Sequence, residues 1–70
     1  MMPLVLANVG DPQSVKRIGG NPETKRRLED LGFTVGGEVG IVTTLGGNVI
    51  VKVKESRVAV SDELARKIMV

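Results

Sequence analysis

Apolar residues recur along the chain at two different spacings, and the change from one to the other divides it into elements. Thr24, Leu28 and Leu31 stand at i, i+4 and i+7 in one narrow stripe. Glu23 and Arg27, Lys25 and Glu29, and Arg26 and Asp30 pair charges four apart on the remaining surface, as on a helix buried along one side only. The flanks agree. Asn21, Pro22 and Glu23 supply a side-chain cap, a first-turn proline and a first-turn acid. Gly32 stands where a left-handed residue is needed after the last turn, so the helix is predicted to end at Leu31. Phe33, the one aromatic residue, follows that glycine. The residue in this place folds back on the last turn, which predicts packing against Leu28 or Leu31.

Beyond Phe33 the period becomes two. Val39, Ile41, Thr43 and Leu45 fall on one face of a predicted strand and Gly40, Val42 and Thr44 on the other. Gly46, Gly47 and Asn48 make a hairpin turn, and the return strand sets Val49, Val51 and Val53 against Ile50, Lys52 and Lys54. A turn around Glu55 and Ser56 leads to Arg57–Val60, where Val58 and Val60 alternate with polar or small residues. Ahead of the helix, Met1–Val9 reads as a short edge segment and Gln13–Ile18 as a strand. In the latter, Val15 and Ile18 would point to opposite faces, so a bulge intervenes or both faces are covered. Ser61, Asp62 and Glu63 cap one or two closing helical turns, in which Leu64 and Ile68 close the open end of the sheet. Short strands with glycine turns, one inserted helix and too few residues for a sandwich predict a mainly β chain. Residues 1–70 form a single small SH3-like β-barrel, with one short helix after the first strand and a short C-terminal helical turn.

Size and composition narrow the chemistry. A 70-residue domain buries only roughly 60% of the surface its unfolded chain exposes, leaving room for one core and one surface site. With no Cys and no His, disulfides, thiolate or imidazole metal ligands, and nucleophiles or bases of those types are excluded. No catalytic residue is predicted. No apolar run reaches a membrane span, so a cytoplasmic protein without direct membrane insertion is expected.

Ten Lys and Arg against eight Asp and Glu give a net charge of +2, too mild to indicate nucleic acid by itself. Arg17, Lys25, Arg26 and Arg27 are candidates for a basic docking face, although alternation with Glu23, Glu29 and Asp30 is also what a solvated helix displays. Lys52, Lys54 and Arg57 cluster at the last hairpin, but with no Tyr or Trp there is no platform for base stacking, and no nucleic acid is expected. Asp62 and Glu63 with Glu38 or Glu55 offer oxygen ligands only, suited to hard cations, and capping explains them more simply; no metal site is predicted. None of the glycine pairs precedes the Lys-Ser/Thr of a nucleotide loop. Met1, Leu4, Leu6, Leu45, Ile50 and Met69 exceed what so small a core holds, and such a leftover apolar patch marks a protein contact or weak self-association. Leu45 and Ile50 are its candidate contact residues.

The order R-I-G-G (Arg17 to Gly20), R-R-L-E-D-L-G-F (Arg26 to Phe33), V-G-G-E-V (Val35 to Val39), G-G-N-V-I-V-K-V (Gly46 to Val53), S-R-V-A-V (Ser56 to Val60) and E-L-A-R-K-I (Glu63 to Ile68) resembles the FeoA family, small SH3-like proteins of bacterial and archaeal ferrous iron uptake. Two residues depart from its pattern: Val35 stands where a proline is common, and Glu55 where a glycine is common in the last hairpin. The resemblance implies a non-catalytic accessory protein that docks on the cytosolic G-protein domain of the FeoB-type membrane transporter. It implies no cofactor of its own and a link to Fe2+ only through the partner. The same module also occurs on DtxR-type metal-dependent repressors, so a regulatory module of transcription control is the alternative.

Overall fold

In the computed structural model, which describes residues 1–70, the chain forms six strands and two helices. β1 (Gln13–Ser14), β3 (Glu38–Leu45), β4 (Asn48–Val53) and β5 (Ser56–Ser61) make an antiparallel sheet in the order β1-β3-β4-β5; β2 (Arg17–Ile18) pairs with β6 (Ile68–Met69) in a second, two-stranded sheet. The fold is mainly β and SH3-like, but its two sheets do not join into the continuous cylinder that the strand count predicts. Helix α1 (Pro22–Asp30) lies between β2 and β3, and α2 (Asp62–Ala65) between β5 and β6.

The Gln13–Ile18 strand is in fact two, one in each sheet. Val15 donates to Gly37 O at 2.8 Å and accepts from Gly36 N at 2.7 Å, whereas Lys16 N donates to Met69 O at 2.8 Å and Gly19 N to Lys67 O at 2.7 Å. The backbone thus changes partners between Val15 and Lys16, which lets Val15 and Ile18 both be buried.

Helix α1 begins as its cap predicts, with Asn21 Oδ1 accepting from Thr24 N at 2.8 Å. It ends in a Schellman reversal: Gly32, at φ 106°, donates to Glu29 O at 2.9 Å and Phe33 N donates to Leu28 O at 3.1 Å. The reversal carries Phe33 into the core beside Leu28, both without exposed surface. Leu31 is not in the core as expected, and keeps 37% of its surface exposed. As the C-cap it sits on the flank of a helix that buries only Leu28, and Phe33 takes the space beneath the last turn.

In the large sheet Val39 opposes Val53 and Ile41 opposes Val51, but Thr43 opposes Ile50. Val42 is therefore an extra residue, a bulge, and a one-residue slip transfers every later side chain to the other face. Leu45, expected on the face of Val39 and Ile41, lies instead across from Asn48 on the outer face and is 71% exposed. The β3–β4 turn is Gly46–Gly47, with φ of 51° and 81°, both positive as a type I′ hairpin demands. The β4–β5 turn is Lys54–Glu55, and the left-handed residue there is Lys54 at φ 55°, not Glu55.

The core holds 15 apolar residues, with no buried polar side chain lacking a partner. Leu4, expected in the surface patch, is fully buried, because the N-terminal segment, after pairing along the edge of the small sheet at Met2 and Pro3, turns inward through a 3-10 helix at Leu4–Leu6. The chain's last residues form a strand that the sequence reading misses: Met2 N donates to Val70 O at 2.8 Å and Val70 N to Met2 O at 2.7 Å, so β6 lies between the N-terminal segment and β2. α2, capped by Ser61 Oγ accepting from Leu64 N at 3.2 Å, buries Ala65, while Leu64 and Val58 are only partly buried.

Candidate functional site

The helix cap that starts α1 and the pairing that fixes β2 bring Arg17 and Lys25 to one groove. It has a volume of about 360 Å³ and is lined by Lys16, Arg17, Ile18, Lys25, Glu29, Thr34 and Val35. Three cations face one carboxylate there. Lys25 and Glu29 are four apart and share a helix face, whereas Arg26 and Arg27 are rotated away from it by about 100° and 200°, at 3.6 residues per turn; both are exposed and neither lines the groove. The basic candidates thus form a cleft around Arg17 and Lys25, with two further arginines on other sides of the helix. Lys16 completes the cleft and was not singled out from the sequence. Only its position beside Arg17 hinted at it.

Leu45 and Ile50 come together for a reason that strand periodicity did not supply. The bulge at Val42 moves Leu45 to the outer face, where it opposes Asn48 while Ile50 opposes Thr43 and Ala59, so the two apolar side chains are diagonal neighbours. Ile50 is half-buried. Of the other patch candidates, Met1 and Leu6 are exposed, at 73% and 67%, and Met69 is half-buried in β6.

Lys52 and Lys54 line a second, larger groove of about 740 Å³, formed between the outer face of β3–β4 and the Val9–Pro12 loop. Gly10 N donates to Ile41 O at 2.9 Å and fixes that loop against β3. Asp62, one of the acids considered as a metal ligand, pairs with Arg66 Nε at 2.7 Å, and no three acidic side chains gather anywhere in the fold. No helix is long and apolar enough to cross a membrane.

The fold is small and SH3-like, with grooves lined by cations, glycines and short apolar side chains, and comparison with known proteins identifies its family. The FeoA domain family model matches residues 2–70, and the chain belongs to the FeoA family. It is 34% identical over 70 residues to a Methanocaldococcus jannaschii protein provisionally named Fe(2+) transport protein A, a match spanning 100% of this chain and 85% of that protein. Among solved structures it is similar to the crystal structure of an iron uptake regulatory protein (FeoA), with a TM-score of 0.86 and 27% identity over 96% of this chain and 89% of the other.

Proposed function

We propose that the chain is a non-catalytic accessory protein of ferrous iron uptake that docks on the cytosolic G-protein domain of a FeoB-type transporter. The observation that carries this reading is the family match along residues 2–70, joined to the name of the archaeal relative. The cleft of Lys16, Arg17 and Lys25 supplies a charged docking element, and the outer-face pair Leu45 and Ile50 an apolar one. Iron is the cargo of the partner. This chain contributes adhesion in the cytoplasm and holds no cofactor of its own.

The test is a calorimetric titration of the purified chain with the soluble G-protein domain from the same organism, without nucleotide, with GDP and with a non-hydrolysable GTP analogue. Saturable binding is expected in at least one state, weakening with added salt and with the double reversal Arg17→Glu and Lys25→Glu. Absence of binding in all three states overturns the reading. So does saturable binding to a DtxR-type repressor in its place.

A further inference from the structure

The outer face of the large sheet carries charges that the fold itself leaves unbalanced. Lys52 on β4 stands directly opposite Arg57 on β5, and residues so opposed share a face, where like charges destabilise the pairing. Both are exposed. Lys52 and Lys54 line the 740 Å³ groove, whose one lining carboxylate is Glu38. None of these groups is in an ion pair, the chain's one pair being Arg66 with Asp62. Asp11, on the flanking loop, has its Oδ2 3.4 Å from Asn8 Nδ2, and Glu55 is exposed in the hairpin turn outside the groove.

The remaining lining suits an extended chain. Gly10 and Gly40 line the groove without side chains, and the Asp11 carbonyl oxygen lies 3.6 Å from where a Cβ on Gly40 would sit. Val9, which is 62% exposed, together with Pro12 and Val42 adds apolar walls.

We propose that this groove docks an extended acidic segment of a partner protein in which carboxylates alternate with apolar side chains. Charge complementarity selects the carboxylates, since Lys52 and Lys54 outnumber Glu38 in the lining and Arg57, outside it, stands opposite Lys52. An extended segment sends successive side chains to opposite sides, so one edge meets the cations while the other meets Val9 and Pro12. A nucleic-acid strand fits less well, because its bases gain most from aromatic stacking and the chain's one aromatic, Phe33, is fully buried. The proposal is independent of docking on the transporter.

The test titrates the ¹⁵N-labelled full chain with a capped peptide of alternating glutamate and valine, with the same peptide carrying lysine for glutamate, and with oligothymidylate. The acidic peptide is expected to move the amide signals of Gly10, Gly40 and Val42, and the lysine peptide to move none. Lys52→Glu converts a repelling pair into an attracting one, so its urea midpoint is expected to rise while affinity for the acidic peptide falls about tenfold or more, the effect of losing and then opposing one close charge. Lys52→Arg retains binding. A variant that is firmer yet binds less cannot be explained by damage to the fold. The proposal is overturned by shifts absent up to millimolar peptide, by shifts located elsewhere, by an equal response to the lysine peptide, by Lys52→Glu binding as wild type does, or by oligothymidylate occupying the same groove more tightly.

Discussion

Leu31 and Phe33 flank the same glycine at the end of α1, and truncating each to alanine gives sharply different costs. Phe33 has no exposed surface and is the largest side chain in the core. Its removal leaves a cavity beneath α1, a loss of about 3–5 kcal/mol for a buried aromatic. Leu31 already shows 37% of its surface to solvent and encloses no space, so Leu31→Ala forfeits part of the roughly 1.5–3 kcal/mol of a fully buried leucine, about 1 kcal/mol. A 70-residue chain has on the order of 3.5–10 kcal/mol in all, at about 0.05–0.15 kcal/mol per residue. Phe33→Ala is therefore expected to unfold much of the population in water, Leu31→Ala to remain folded, and Phe33→Leu to fall between. Since the chain lacks Trp and Tyr, the assay is urea unfolding followed by far-UV circular dichroism. With a slope near 1 kcal/mol per molar urea, the Leu31→Ala midpoint moves by about 1 M and that of Phe33→Ala by about 3 M or more. Equal losses for the two variants, or a Phe33→Ala cost below about 1 kcal/mol, would refute the assignment of Phe33 as the residue that ties α1 to the sheets.

Three further substitutions test the backbone. Val35 is the second residue of a turn closed by Gly37 N donating to Thr34 O at 2.9 Å, with Gly36 at φ 88°; its own N–H makes no hydrogen bond, so Val35→Pro is expected to raise stability by about 0.4–1 kcal/mol in the same urea assay, and a loss would mean that the turn is not type II. Lys54 occupies the left-handed region at φ 55°, and Lys54→Gly is expected to gain about 0.5–1 kcal/mol; a decrease in thermal midpoint would contradict that. Gly32→Ala, at φ 106°, is expected to lose about 1–2 kcal/mol, and a neutral result would show that the helix end relaxes into another conformation.

What could be read from the chain was whatever its local chemistry encodes. Asn21, Pro22 and Gly32 bracket the helix because caps and left-handed termini are properties of a few adjacent residues. Gly46–Gly47 and the alternating Val49, Val51 and Val53 mark the hairpin for the same reason. The elements that escaped are those defined by distant partners. β1, β2 and β6 have two residues each, too few for a period: Gln13–Ile18 is legible as a strand, but its division into β1, which pairs with Glu38 and Val39, and β2, which pairs with Ile68 and Met69, is not, and β6 has no signal of its own. The bulge at Val42 left no mark among β-branched neighbours, yet it decides that Leu45 joins Ile50 on the outer face. Arg17 and Lys25 were legible as cations, but their convergence with Lys16, and the separation from Arg26 and Arg27, follow from where β2 docks beside α1.

The central claim, that this chain acts by adhering to the transporter's cytosolic domain, is tested most directly by recording the amide spectrum of the labelled chain as the unlabelled G-protein domain is added. Saturable changes are predicted at Lys16, Arg17 and Lys25 and along Leu45 and Ile50, with the buried residues Val51 and Val53 little affected. A spectrum that stays unchanged with the domain in excess, in every nucleotide state, would contradict it.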